Sequence, residues 1–215
     1  MSLALAALDV AVGGTSIIHN ADLQVPSGKV CGLVGRNGAG KTTLMRAIMG
    51  FLAAQRGSIR FDATELTILP AHARARLGIG YMPEDRKLVP DFTVGDNILL
   101  PVWATGNGAA SSRLERVLTL MPELKPLARR RASQLSGGQQ KMAALARALI
   151  AGTELLLLDE PSEGLAPALT QRLAGVIAEL RGTGLTVLIA ESSSVHLGGL
   201  FDEVFIIERG SIAPR

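Results

Sequence analysis

The feature that most constrains the fold is a glycine-rich octapeptide near the N-terminus. It reads Gly35-Arg36-Asn37-Gly38-Ala39-Gly40-Lys41-Thr42 and matches the pattern G-x-x-x-x-G-K-[ST]. The apolar residues 30–34 before it predict a strand, and the helical spacing of apolar residues in 41–49 after it predicts a helix. A strand, a glycine-rich loop and a helix in this order are typical of an α/β fold. We therefore expect the chain to be built around this loop.

Each part of the loop has a use in binding phosphate. Glycines let the backbone wrap closely, so that consecutive N–H groups and the positive end of the following helix face phosphate oxygens. Lys41 would reach the terminal phosphates, and the hydroxyl of Thr42 would bind Mg²⁺. A glycine-rich turn without a ligand is the alternative, but four fixed positions and both flanking elements would then have to coincide. The candidate nucleotide-binding residues are Gly35, Arg36, Asn37, Gly38, Ala39, Gly40, Lys41, Thr42 and Thr43.

A second candidate site follows a run of four leucines, residues 155–158. Such a run predicts a strand that is buried on both faces of a parallel sheet, and its carboxyl end opens into the ligand crevice. Asp159 at that end can hold Mg²⁺, and Glu160, which points elsewhere, can polarise an attacking water. Two acids in a solvated turn are the alternative, which the phosphate loop in the same chain disfavours.

A third motif, Leu135-Ser136-Gly137-Gly138-Gln139-Gln140, precedes a predicted amphipathic helix. Ser136 stands at a natural N-cap position, so a capped helix start is the simpler interpretation of this motif alone. The glycines also leave backbone N–H groups free to face an anion along the helix axis.

The rest of the chain alternates between strand and helix patterns, which indicates an α/β architecture. The pattern is helical from 94 to 152, and residues 106–111 form a linker-like stretch within it. We predict one domain over 1–215, with a core at 1–90 and 153–215 and a helical subdomain at about 91–152. Further strands are predicted at 4–10, 17–25, 57–61, 78–82, 185–190 and, as the last strand, 203–207. Further helices are predicted at 70–77, 94–100, 111–121, 138–150 and 167–181.

Composition excludes several classes of protein. The net charge of +3 comes from 22 Lys and Arg against 19 Asp and Glu, and only seven residues, five Phe, one Tyr and one Trp, could stack on bases. Dispersed charge and few aromatic residues argue against nucleic-acid binding. One cysteine, Cys31, excludes an internal disulfide, and no charge-free apolar window of about 18 residues predicts a membrane span. We also expect no secretion signal, because no basic region precedes the apolar N-terminal residues.

The three motifs, in this order and spacing, resemble the nucleotide-binding domain of the ABC ATPase superfamily over nearly the whole chain. The resemblance implies an α/β P-loop NTPase fold with a mixed sheet core, an N-terminal antiparallel β subdomain and an inserted α-helical subdomain. It implies ATP hydrolysis with Mg²⁺, with Glu160 and Lys41 as catalytic residues. It also implies a head-to-tail dimer, in which Ser136, Gly137 and Gly138 contact the γ-phosphate of the ATP held by the second protomer.

The same resemblance implies partners. They are a second copy or a paralogous ATPase subunit and transmembrane permease subunits, through which alone the chain would contact the membrane, on its cytoplasmic side. The segment 84–103 would meet a coupling helix of the permease, with Trp103 either an interface anchor or a core aromatic. Residues 83–86 and 160–167 are most similar to ATPases of branched-chain amino acid, amide or urea importers. Residues 69–76 also resemble the ATPase of lipopolysaccharide export, so import and export both remain open.

Three positions depart from the superfamily pattern. Glu84 stands where most members have a glutamine that senses Mg²⁺, and a carboxylate can still ligate the metal. Val12 stands where an aromatic residue would stack on adenine. Ser192 stands where a switch histidine would donate to the γ-phosphate, and His196 is a weaker candidate for that role. Glu84 is common in the importer subgroup, Val12 predicts modest nucleotide affinity, and Ser192, which cannot carry charge, predicts slow hydrolysis. Because of Val12 and Ser192, the alternative is a nucleotide-gated regulatory module with little or no hydrolysis.

Overall fold

The computed structural model describes residues 2–106, 110–195 and 197–214. Within them, the strands form two sheets and the helices lie mostly between consecutive strands of the chain. The strands are β1 (Leu3–Val12), β2 (Thr15–Val25), β3 (Val30–Val34), β4 (Ala54–Phe61), β5 (Thr64–Glu65), β6 (Ile79–Met82), β7 (Leu155–Asp159), β8 (Thr186–Glu191), β9 (Glu203–Glu208) and β10 (Ser211–Pro214). The helices are α1 (Lys41–Ile48), α2 (Ala71–Arg76), α3 (Val94–Thr105), α4 (Ala110–Leu120), α5 (Gly137–Ala151) and α6 (Pro167–Leu180).

The larger sheet has six strands in the order β10-β9-β3-β8-β7-β6, and only β10 runs antiparallel to its neighbour. Every residue of β7 and β8 is buried. Parallel pairing brings the carboxyl ends of β3, β7 and β8 to one edge, where Val34 lies opposite Glu191 and Asp159 opposite Ala190. The segments that follow these three strands therefore meet at one place.

Alternate leucines of β7 pack into two separate cores, as expected for a strand that is buried on both faces. Leu155 and Leu157 belong to a core with α1 and the smaller sheet, which is antiparallel with the order β2-β1-β4-β5. Leu156 and Leu158 belong to a core with α3, α5 and α6. β7 thus contacts both the core of the N-terminal part of the chain and the core of the helices.

The helices between β6 and β7 are anchored by polar contacts at the start of α3. Thr93 caps this helix, accepting from the Asp96 N–H at 3.0 Å. The fully buried Asn97 side chain donates to Val89 O and Thr93 O and accepts from the Val89 N–H. These contacts fix the loop that enters the helical segment, because a buried amide is costly unless it is paired.

The expected α/β fold, with a mixed sheet, an antiparallel N-terminal sheet and inserted helices, is confirmed. Most element ends differ from the prediction by a few residues, and α3 differs more, because it continues through Pro101 to Thr105. A proline removes one backbone donor, and burial of Ile98 and Val102 outweighs this cost. The boundaries of the helical subdomain remain a prediction, and residues 107–109 of the linker-like stretch lie outside the described residues.

The prediction that 203–207 is the last strand is wrong, because β10 follows it. Arg209 (φ 47°) and Gly210 (φ 81°) form the two-residue turn between β9 and β10. Two consecutive positive φ angles are the geometry of the tight hairpin turn, and this arginine gave no sequence signal for it. Among the described residues, no helix combines the length and apolarity that a membrane span requires.

Candidate nucleotide-binding and catalytic site

The glycine-rich loop joins β3 to α1 and depends on glycine at its start. A Cβ atom on Gly35 would lie 2.2 Å from Ile207 O, and the Gly35 N–H donates to Glu191 O at 3.1 Å. Gly38 and Gly40 have φ angles of 81° and 110°, which L side chains rarely adopt. The loop therefore packs closely against the edge of the sheet. It ends at the first turn of α1, where the N–H groups have no acceptor within the helix and can face an anion.

Lys41 is the first residue of α1, and its side chain is buried, with 5% of its surface exposed. Its ammonium donates to Gly35 O at 2.6 Å and to Arg36 O at 3.1 Å. It also forms an ion pair with Glu160, with 3.0 Å between Nζ and Oε1. The residue predicted to bind terminal phosphates thus contacts the residue predicted to orient the water.

Glu160 is held in a strained conformation at the end of β7. Its φ angle of 47° lies in the left-handed region, and its N–H donates to Ala190 O at 2.9 Å. Its carboxylate contacts Lys41 on one side and accepts from the Ser192 N–H at 3.0 Å on the other. Ser192 therefore contacts Glu160 through its backbone, and its side chain is exposed.

Asp159, one residue earlier, faces the loop. It is fully buried and accepts from the Thr42 hydroxyl and from the Tyr81 hydroxyl, each at 3.2 Å. Burial raises the pKa of Asp159 to about 6, although both hydrogen bonds oppose this shift and the charges of Glu84 and Glu160 add to it. Sequence analysis did not identify Tyr81 as a site residue. The only signal for it is that its side chain carries a hydroxyl within an otherwise apolar predicted strand.

The oxygen atoms at this place suit Mg²⁺. Thr42 and Asp159 offer hard oxygen ligands from different elements, and Glu84 lines a cavity together with both of them. Among the described residues, no group of three or more His, Cys, Asp and Glu could form a cage for a metal. Mg²⁺ typically uses one or two protein oxygens together with substrate phosphates, so these residues fit a metal that arrives with a nucleotide.

A cavity of about 400 Å³ lies over the loop and is large enough for a phosphate chain. Its lining contains Ile17, Asn37, Gly38, Gly40, Lys41, Thr42, Thr43, Glu84, Glu160 and Glu163. Val12, the residue at the predicted adenine position, is exposed and is not part of this lining, whereas Ile17 on β2 is. His196, the weaker candidate for the switch residue, lies outside the described residues.

The third motif begins α5. The Ser136 hydroxyl accepts from the Gln139 N–H at 3.3 Å, and the Gln139 side chain accepts from the Ser136 N–H at 3.0 Å, which completes a capping box. Ser136, Gly137 and Gly138 are all described, and none of them lines the cavity over their own phosphate loop. Within the chain, the first two motifs thus meet at one site, and the third motif lies outside the cavity over the phosphate loop.

Glu191 is a further residue that sequence analysis missed. It ends β8, has 2% of its surface exposed and accepts from the Ser162 N–H at 3.0 Å. Burial raises the pKa of Glu191 to about 7, and the charge of Glu160 adds to this shift, while the hydrogen bond from Ser162 opposes it. It was missed because it directly follows a predicted strand, and only the order of strands in the sheet brings it beside Glu160.

Tyr81 gives a first testable prediction. We expect Tyr81→Phe to weaken Mg²⁺ binding in the presence of ATP about 3- to 10-fold, because one hydrogen bond that holds Asp159 is lost and the pKa of Asp159 rises further. Mg²⁺ titration of ATP turnover at pH 7 measures this. Phe51→Leu is the matched control, since the Phe51 ring packs 6.1 Å from the Tyr81 ring and leaves the hydroxyl untouched. Equal Mg²⁺ dependence in all three proteins would contradict the prediction.

A phosphate loop with a lysine and a threonine, which faces an aspartate at the end of another parallel strand of the same sheet, is the arrangement of P-loop nucleoside triphosphatases. The helices inserted between β6 and β7, with a glycine-rich start to α5, narrow this class further. A family model described as ABC transporter matches residues 18–163, more than half of the chain. The chain therefore belongs to the ABC transporter family, as an ATP-binding subunit with the ATPase activity of that family.

Named relatives and a solved structure agree. The branched-chain amino acid transport ATP-binding protein BraG of Pseudomonas aeruginosa is 37% identical over 200 residues, which cover 93% of this chain and 86% of BraG. The lipopolysaccharide export system ATP-binding protein LptB of Escherichia coli K12 is 33% identical, over 93% of this chain and 83% of LptB. A nucleotide-free ATP-binding cassette from an ABC transporter superposes with a TM-score of 0.86 at 26% identity, covering 100% of this chain and 91% of the cassette.

Proposed function

We propose that this ATPase drives the uptake of amino acids or related amides through separate permease subunits. The observation that carries the hydrolytic part is the buried contact of 3.0 Å between Lys41 and Glu160, beside the Thr42–Asp159 contact of 3.2 Å. A phosphate-binding amine, a metal-binding pair and a water-orienting carboxylate then share one edge of the sheet. These are the groups that in-line attack of water on a terminal phosphate requires.

The chemistry follows from the positions of these groups. Lys41 and the N–H groups at the start of α1 bind the terminal phosphates and stabilise the charge that develops on the γ-phosphoryl group. To do so, Lys41 exchanges its present acceptors, Gly35 O, Arg36 O and Glu160, for phosphate oxygens. Glu160, released from the ion pair, orients a water for attack. Thr42 and Asp159 would hold Mg²⁺, which would neutralise phosphate charge, and Glu84 in the wall of the same cavity would be a further oxygen ligand.

We propose that the working form is a head-to-tail dimer of two copies, or of this chain and a paralogous subunit. Within one chain, Ser136, Gly137 and Gly138 do not line the cavity over the phosphate loop. Their N–H groups at the start of α5 nevertheless form an anion-facing helix end. A second copy in the opposite orientation would bring this end onto the γ-phosphate, so two ATP molecules would lie between the copies.

A second cavity, of about 790 Å³, supports a permease partner. It lies beside the site, between the sheet and the helices, and Tyr81, Glu84 and Asp159 belong to its wall. Phe51 and Pro101 give it apolar surface, and a helix presented by a membrane subunit fits such a groove. Trp103 follows on α3 with 52% of its surface exposed, which favours the interface anchor over the core aromatic. This groove would place the chain at the cytoplasmic face of the inner or plasma membrane.

Amino-acid or amide uptake is favoured by the name and higher identity of BraG and by residues 83–86 and 160–167. The lipopolysaccharide exporter LptB supplies the alternative direction of transport. A nucleotide-gated regulatory module is the second candidate, and the exposed Ser192 side chain and Val12 favour it. Neither residue offers the charge or the aromatic face of the superfamily pattern.

Phosphate release tests this function. We expect the purified chain with Mg²⁺ and ATP to turn over slowly, below about 1 s⁻¹, and to be stimulated by its permease subunits in vesicles. We expect Ser192→His to raise basal turnover about tenfold or more, because an imidazole can carry positive charge to the γ-phosphate, whereas the serine hydroxyl can only donate one hydrogen bond. Ser193→His, at the exposed neighbouring position, is the matched control. Fast turnover without partners would contradict the expectation, and no turnover under any condition would favour the regulatory module.

A further inference from the structure

Lys141 is a buried lysine that the chemistry above does not use. It lies on the second turn of α5, the helix that begins with Gly137, and 5% of its surface is exposed. Its ammonium donates to Glu160 O at 2.7 Å and also to Glu163 O. Lysine is almost never fully buried unless it is paired, so these two carbonyl acceptors must compensate the cost of burying the ammonium.

The two acceptors of Lys141 are the two ends of one turn. The Glu163 N–H donates to Glu160 O at 3.3 Å, which closes the turn after β7, and Lys141 bridges the carbonyls at both ends. From the opposite side, Glu191 accepts from the Ser162 N–H at 3.0 Å. The turn that carries Glu160 is thus held between α5 and β8.

The surrounding charges suit a charged amine. Burial lowers the pKa of Lys141, and the nearby positive charge of Arg86 adds to this shift, whereas the carboxylates of Glu163, Glu191 and Glu160 oppose it. On the same helix end, the Arg86 guanidinium donates to Gly137 O at 3.4 Å and to Gln140 Oε1 at 3.1 Å. An ammonium at position 141 therefore provides donors and charge that no apolar side chain of the same length can replace.

We propose that Lys141 is a positioning residue that couples the two ATP sites of the dimer. This inference rests on the proposed dimer, in which each chain supplies Glu160 to its own ATP and Ser136, Gly137 and Gly138 to the ATP of the other copy. Lys141 joins these contributions within one chain, because its amine belongs to α5 and its acceptors belong to the turn of Glu160. A shift of α5 when its start engages the second nucleotide is passed directly to the backbone of Glu160.

The test compares cooperativity in the full-length proteins. Lys141→Met keeps the length and the apolar stem of the side chain and removes all donors, and Lys141→Gln keeps a shorter polar donor. Lys125→Met, at an exposed lysine before α5, is the matched control. We expect a Hill coefficient for ATP hydrolysis of about 1.5 to 2 in the wild type and the control, falling to about 1 in Lys141→Met and lying between in Lys141→Gln. Nucleotide binding to the single chain should stay within about twofold, because the phosphate loop is unchanged.

If hydrolysis by Lys141→Met is too slow to fit, the same comparison is made on binding of a fluorescent ATP analogue in a Glu160→Gln background, where cooperativity needs no turnover. If Lys141→Met does not fold, Lys141→Gln carries the test. A folded variant that binds ATP with wild-type cooperativity overturns the inference, and so does a wild-type Hill coefficient of one. Absence of hydrolysis in the wild type would instead refute the proposed function, which keeps the two failures distinct.

Discussion

Glu160→Gln is expected to lower ATP turnover by about 10²- to 10³-fold while ATP still binds. The carboxylate at the end of β7 is the group that orients the attacking water, and a neutral amide cannot accept its proton. The substitution also removes the ion pair of 3.0 Å with Lys41, so the ammonium is freer to bind phosphate. ATP-bound dimer should therefore accumulate. Phosphate release measures the first effect, and size-exclusion chromatography with ATP measures the second.

The control for this experiment is Glu208→Gln, an exposed carboxylate at the end of β9. It removes the same charge on another strand of the same sheet without touching the site, and we expect turnover within about twofold of the wild type. If Glu160→Gln retained wild-type turnover, Glu160 would lose its assigned role. If turnover fell without a dimer, the hydrolytic role would stand and the head-to-tail assembly would need another explanation.

The parts of the fold that the sequence predicts are those with a local signal. The leucines of 155–158 identify a strand with two buried faces, and the glycine-rich loop identifies the βα unit that it joins. The capping box at Ser136 places the start of α5 within one residue of the prediction. In each case the signal lies within about ten residues of the element, where periodicity, capping and turn chemistry act.

The parts that the sequence does not predict depend on sheet order. Tyr81 bonds to Asp159 across 78 positions of the chain, and Lys141 reaches Glu160 across 19. Nothing in the local patterns says that β6 lies beside β7 or that β8 separates β7 from β3. Glu191 was missed for the same reason, since it contacts Ser162 only because β8 lies beside β7. Motifs therefore identify reacting groups, and tertiary contacts alone reveal the residues that hold them.

One consequence of these contacts is a dependence of stability on pH. The folded pKa of Glu191, about 7, lies above its ordinary value of 4.5 because the side chain is buried. Between these two values the folded protein holds a proton that the unfolded chain has released. The contribution of Glu191 to stability is therefore greatest below about pH 4.5, falls as pH rises and is lost above about pH 7.

We expect Glu191→Gln to remove this dependence and to raise the free energy of unfolding at pH 8 by up to about 3 kcal/mol. The amide stays neutral at every pH, and its oxygen still accepts from the Ser162 N–H. Below pH 4.5 the two proteins should be nearly equal, because Glu191 is then protonated in both states. Urea unfolding of the ligand-free proteins at pH 4.5, 6 and 8 measures the difference.

Glu208→Gln serves again as the control, because its carboxylate is exposed and should give no difference that depends on pH. A Glu191→Gln protein that gains no stability relative to the wild type between pH 4.5 and pH 8 would show that Glu191 is buried as a carboxylate at little cost. The neighbouring ammonium of Lys141 would then be the compensating charge, and removing it in Lys141→Met should make folding depend on pH more strongly than in the wild type.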